Sequence, residues 1–359
     1  MATCPQSFLV IECSNVNEVN EIMLWRLQSV KALSVAFLCC LFASEISWAA
    51  DYPQASLSNS VIQMKVYLPD PHEGFYRGTR FDWSGVIASL SWNGHNYFGR
   101  WLEKHDPTVH DAICGPVEEF ITGNAALGYS EAKVGEPFVK IGIGALRKQE
   151  EVNYNSFATY EILNSGQWST KTGSHGVEFV QKIPDTNGYA YLYRKRIWLE
   201  KGKPVLVIEH TLKNTGRKKI ESSVYNHNFF MIDGQPSGPD FVLKFPFDLQ
   251  ATDNLKGLAK TSGKELSYLA MLQAGQYVYT YLEGYGTSPG DNDIRVENHK
   301  TRAGVRITEN RPLWKLRFWS NPKLVCPEPF IDLQIEPGKQ ATWKITYEFY
   351  QVAPVPSGK

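Results

Sequence analysis

Residues 189–200 read YAYLYRKRIWLE, and their alternation decides the fold class. Tyr189, Tyr191, Tyr193, Ile197 and Leu199 fall on one face, while Arg194, Arg196 and Glu200 fall on the other. A period of two marks a strand with one buried face, because successive side chains of a pleated backbone point to opposite sides. Residues 205–212, VLVIEHTL, follow after the turn-forming Glu200-Lys201-Gly202-Lys203-Pro204, so the two segments predict an antiparallel hairpin. Residues 341–352, ATWKITYEFYQV, repeat the pattern behind another turn, Glu336-Pro337-Gly338-Lys339.

Working outward, 61–68, 86–92, 177–183, 241–247 and 277–282 are further short strand candidates, several bounded by Asn-Gly, Thr-Gly or Pro-Gly pairs. Segments 116–121 and 255–269 predict short helices, although neither carries a sustained 3.6-residue stripe. There is no fixed-period repeat, low-complexity tract or composition shift after residue 50. Strands at roughly ten-residue spacing predict one large all-β antiparallel sandwich over residues 50–359.

Composition agrees. The chain has 359 residues, 43% of them hydrophobic and 13% aromatic, and an aromatic-rich content favours strands. Lys+Arg 37 balance Asp+Glu 37, which excludes the basic excess of a nucleic-acid binder. The overall balance excludes wholesale disorder and a polytopic membrane protein. From Met23 onward, Arg26 and Lys31 precede an apolar run over 32–43, and Ser47-Trp48-Ala49 forms a small-x-small motif. This pattern predicts a signal peptide cut after Ala49, with Met23 as an alternative start, and a secreted or periplasmic product. The apolar run, interrupted by Glu45, is too short to span a bilayer, so no membrane association is expected once it is removed. Cys114 and Cys326 then remain, which permits one disulfide without requiring it.

Phosphate loops, CxxC, HExxH and GxSxG are absent, which removes the commonest nucleotide, zinc and serine-hydrolase readings. His105-Asp106-Pro107-Thr108-Val109-His110-Asp111 groups metal-like side chains, but the spacing matches no metal motif and predicts a polar loop. More informative is Tyr225-Asn226-His227-Asn228-Phe229-Phe230, which places a histidine between two asparagines at a predicted strand end. Asparagines can fix an imidazole's orientation and tautomer, as proton transfer requires; a hydrogen-bonded structural histidine is the plain alternative. In Cys326-Pro327-Glu328-Pro329 the flanking prolines hold Glu328 on a stiff, extended backbone, suited either to proton transfer or to a surface turn.

These two places, with Leu333-Gln334-Ile335-Glu336-Pro337-Gly338 and the final strand behind them, resemble the galactose mutarotase (aldose 1-epimerase) superfamily. The resemblance runs over roughly residues 60–352 and implies a β-supersandwich, with His227 as general acid and Glu328 as general base. Interconverting anomers needs one group to take the C1-hydroxyl proton and another to protonate the ring oxygen, so an imidazole and a carboxylate suffice without metal or organic cofactor. The expected arrangement sets the two across an open cleft, about a pyranose ring apart. The family's second histidine has only His175, in Ser174-His175-Gly176, as a counterpart, resembling the hexose-6-phosphate epimerase branch. Its early Asn-Arg contact is absent; Arg77 and Arg80, in Gly74-Phe75-Tyr76-Arg77-Gly78-Thr79-Arg80-Phe81-Asp82-Trp83, are the candidate substitutes. Asn226, Asp233 and the pair Glu118/Glu119 complete the candidates for contacting sugar hydroxyls. A small sugar or oligosaccharide is the expected ligand. A non-catalytic carbohydrate-binding protein and a polysaccharide-processing accessory domain are the competing readings on the same scaffold.

Overall fold

The computed structural model describes residues 52–151 and 153–354. The signal peptide, the cut after Ala49 and the start at Met23 lie outside the described residues.

The 189–200 strand forms as predicted, over Tyr189–Leu199, with Tyr191, Tyr193, Ile197 and Leu199 buried and Arg194 and Arg196 exposed. It pairs antiparallel with Val205–Asn214, and that strand pairs in turn with Gln340–Gln351. The three sit inside a ten-stranded sheet that also holds Gly176–Thr186, Ala303–Glu309, Asp293–Asn298 and Phe241–Lys244. A six-stranded sheet lies against it, ordered Gln250–Ala251, Val278–Glu283, Lys315–Asn321, Leu324–Ile335, Ile220–Phe229, Gly115–Ile121. Two sheets of four and three strands complete the architecture. Helical structure among the described residues is confined to two single turns, Ile232–Gly234 and Pro289–Asp291, so none is long and apolar enough to cross a membrane.

Both segments predicted as helices are extended instead. Gly115–Ile121 is an edge strand paired to Ile220–Phe229, a position that tolerates Pro116 because its missing N–H faces no ladder partner on the open side. All but its last residue are buried, which removed the alternation that would have revealed it. In 255–269, a hairpin of Ala259–Ser262 and Glu265–Tyr268 turns at Gly263, whose φ of +55° suits a residue without a Cβ.

Burial of that edge strand follows from the layering. One core joins the large sheets, with Tyr193, Ile208, Trp343 and Ile345 meeting Val224, Phe318 and Leu333. A second core covers the opposite face of the six-stranded sheet, where Val117, Tyr225, Phe229 and Cys326 pack under Phe75, Tyr76, Phe81 and Phe138. Residues 115–120, 222–229 and 324–331 of the six-stranded sheet are therefore buried on both faces. Cys114 and Cys326 are free, buried thiols, so the permitted disulfide does not form.

Candidate active site

Strand parity assembles the site. Tyr225, His227 and Phe229 alternate with Asn226 and Asn228, so the two sets must face opposite sides of the six-stranded sheet. Asn226 and Asn228 face the ten-stranded sheet, where both meet the Tyr347 hydroxyl. His227 faces the second core instead. Cross-strand register supplies its neighbours: Tyr225 pairs with Phe330 and Arg317 with Glu328, so the same ladder two residues on sets His227 beside Glu328. The resulting row runs Tyr281, Arg317, Glu328, His227, Val117 across five strands.

His227 Nε2 lies 3.3 Å from Glu328 Oε1. Both Nε and Nη2 of Arg317 reach Oε2 of the same carboxyl, fixing its plane and leaving Oε1 to the imidazole. The imidazole stacks on Phe229 at 3.8 Å between centroids and meets Phe81 and Trp319 edge-on. Its Nδ1 is buried without a hydrogen-bond partner. Beside this pair, Arg80 donates to Glu119 Oε2 (2.9 Å) and to the Tyr225 hydroxyl (3.0 Å), and its Nη1 pairs with Asp111. Lys140 closes the other side of Glu119 at 3.1 Å. Arg80, Asp111, His227, Phe229, Arg317 and Glu328 line a cavity of about 400 Å³, together with Ser156, Phe157, Tyr279 and Trp319.

Electrostatics divide the carboxyls. Burial would raise Glu119, but Lys140 and Arg80 outweigh it and bring the group down to about 2, a permanent anion. Burial raises Glu328, and Arg317 only partly offsets this. Burial, reinforced by the positive charges of Arg80 and Arg317, holds His227 well below the ordinary histidine range, so its imidazole is neutral at pH 7. Together His227 and Glu328 form a neighbouring donor–acceptor pair within a hollow that offers aromatic faces and guanidinium forks, the groups that bind polyhydroxylated ligands.

Three of the predicted site residues, His227, Glu328 and Arg80, meet at this cavity. The other four are placed elsewhere. Arg77 bonds the His72 carbonyl on a neighbouring turn. His175 sits on an exposed turn against the Ser58 carbonyl. Asp233, at φ +53°, holds His95 Nδ1 and the Asn96 backbone N–H, each at 2.9 Å. Asn226 is turned away by parity. His227 is not at an open strand end but 4% exposed, and Glu328 is 1% exposed. Their contact also corrects the expected pyranose-wide separation.

Glu118 and Glu119, neighbours on one strand, face opposite sides: Glu119 holds Arg80 and Lys140 beside the cavity, and Glu118 meets Lys195 and His210 between the sheets. Neither is in solvent. Arg317, Trp319, Asp111 and Tyr279 were not anticipated. In residues 315–321 the alternation KLRFWSN reads as a solvated face opposite an apolar one. Only the loops folded over that face, with Phe157 and Asp111, make it a site. Among the described residues no group of three or more His, Cys, Asp or Glu is placed to hold a metal, and His105 stacks on Phe75 in its loop.

The fold is that of the galactose mutarotase-like proteins, and the expected all-β antiparallel supersandwich is met. A GalM/aldose epimerase homologue from C. elegans is similar to this chain with TM-score 0.51 and 13% identity, covering 84% of this chain and 99% of its own. A galactose mutarotase-like protein from Clostridium acetobutylicum matches with TM-score 0.51 and 12% identity over 83% of this chain and 95% of its own. A Synechocystis protein gives TM-score 0.52 and 13% identity, over 85% and 99%. No protein-family model matches the chain, and no curated protein matches its sequence.

Proposed function

We propose that the protein binds a sugar in the Arg80–Arg317 cavity and interconverts its anomers by acid–base ring opening, an aldose 1-epimerase-like reaction. The observation that carries this reading is the 3.3 Å contact of His227 Nε2 with Glu328 Oε1 on the cavity floor. Ring opening removes the proton from the C1 hydroxyl and delivers one to the ring oxygen; closure on the other carbonyl face reverses both transfers. The pair must therefore hold one proton between its two members. Burial raises Glu328 and holds His227 low, which shifts that proton toward the carboxyl member of the pair. Glu328 then gives it to the ring oxygen while His227 takes the hydroxyl proton. This exchanges the acid and base roles that the family resemblance implies. The two assignments are tautomers of one protonation state of the pair. Arg317 acts as a positioning residue, holding Oε2 so that Oε1 stays with the imidazole. The family likeness of the fold and the aromatic walls support a sugar as the ligand.

The test is anomer relaxation followed by polarimetry and by NMR exchange across a panel of aldoses. Wild-type protein should accelerate at least one of them. A second reading, a sugar-binding protein without catalysis, is favoured by one feature: Arg317 and His227 already occupy both oxygens of Glu328. It predicts that sugars raise the melting temperature while no relaxation rate changes.

A further inference from the structure

Beside the cavity above His227 and Glu328 lies another. A second hollow of about 210 Å³ adjoins it, and Ser156 and Arg317 line both. The Val278–Glu283 strand runs beneath the two: Tyr279 lines the first and Tyr281 the second, on the same strand face. Their rings meet edge to face, 6.0 Å apart at 78°, so the aromatic wall continues from one hollow into the next. At the outer end stands Trp314, 46% exposed, an indole left in water beside a cavity.

The second hollow is built for hydroxyls rather than for an apolar group. Glu119, Asn124 and Ser223 line it, as does Tyr154, whose buried hydroxyl has no hydrogen-bond partner. A buried hydroxyl without a partner is uncommon and marks a place where a polar ligand completes the bonding. Indole and phenol faces beside hydrogen-bonding groups stack on the C–H surface of a sugar ring.

We infer that the substrate class is an oligosaccharide, whose reducing-end unit fills the His227–Glu328 cavity and whose next unit fills the adjoining hollow over Tyr281 and Trp314. The inference rests on the acid–base reading above. That chemistry requires a free anomeric carbon at the pair, so the remainder of a longer chain must leave from the far side of the first sugar. The hollow sharing Arg317 is a lined route for it.

The experiment compares matched sugars on the full chain: glucose against maltose and cellobiose, and galactose against β-1,4-galactobiose, each by calorimetric binding and by anomer relaxation. At least one disaccharide should bind about tenfold more tightly than its monosaccharide, roughly the effect of one good aromatic contact. Trp314→Ala should abolish that advantage and leave the monosaccharide rate unchanged, since Trp314 lines the second hollow and not the first. Asn124→Ala, at an exposed turn, should reduce it in the same direction. Disaccharides that bind no better than monosaccharides overturn the inference, even if the monosaccharides are turned over. An advantage that survives Trp314→Ala also overturns it. If disaccharides bind in a Trp314-dependent way but nothing is anomerised, the two-unit site stands and the catalytic reading falls; if no sugar binds, both fall.

Discussion

At the scale of single residues, the pair His227 and Glu328 makes the firmest predictions. His227→Ala and Glu328→Gln should each lower the anomerisation rate by about 10²–10⁴-fold, the usual worth of a positioned proton transfer. Circular dichroism and unfolding should show both variants folded; loss of activity through unfolding alone would remove the support. The pH dependence follows from direction. An imidazole held well below 6.5 takes its second proton only in acid, so kcat/KM should stay level from pH 7 to pH 6. A fall centred near pH 6.5 would contradict the neutral imidazole. Stability moves by the same linkage: below pH 6.5 the unfolded chain protonates this histidine and the folded one does not, so acid destabilises the fold. Glu309 gives the opposite sign. Burial pushes it up to about 8, against one hydrogen bond from Asn292, and its Oε1 has no partner. An acid raised in the folded state adds nothing unfavourable at pH 4 and progressively destabilises as pH rises toward 8. Glu309→Gln should therefore stabilise by about 2–4 kcal/mol at pH 8 and leave denaturant unfolding at pH 4 unchanged.

At the scale of elements, the site depends on the register of the six-stranded sheet and on how its edge strand is launched. Gly115 starts that strand at φ +75°, and a Cβ there would stand 2.6 Å from the Ile87 carbonyl oxygen. Both the left-handed backbone and the close approach call for glycine. Gly115→Ala should lower stability by roughly 2 kcal/mol or more, as strain at such positions costs about 1–3 kcal/mol before any clash. Because Glu119 is four residues on, weaker sugar binding should accompany the loss. Unfolding curves that superimpose on wild type would refute the role assigned to this turn. The helix expected at 116–121 shows why the element was illegible: a strand buried on both faces has no amphipathic signature, and its hydrophobicity alone does not distinguish helix from strand.

At the scale of the whole molecule, the two large sheets are joined by charge as well as by apolar packing. Lys195, on the face opposite Arg194 and Arg196, is wholly buried and meets Glu118 and Asp82, with the Ser84 carbonyl at 2.8 Å. Lys195→Met would leave two buried carboxyls facing each other, and should cost about 3–5 kcal/mol in chemical unfolding. Arg194→Ala, which breaks only the exposed pair with Glu178, should change stability by less than about 1 kcal/mol. Equal effects would show that the buried charges are not what joins the layers. The sequence by itself determined the all-β antiparallel architecture and singled out the two residues to which the proposed chemistry is assigned. Alternation over 189–200 and 341–352 is a local property, and His227 and Glu328 stand in short, distinctive contexts. Tertiary structure alone decided their contact, the Arg80 and Arg317 clamps and the loops that roof the sheet. Pairing register and loop closure join residues more than a hundred positions apart, as Arg80 and Tyr225 are joined, and no local pattern encodes a distance of that kind.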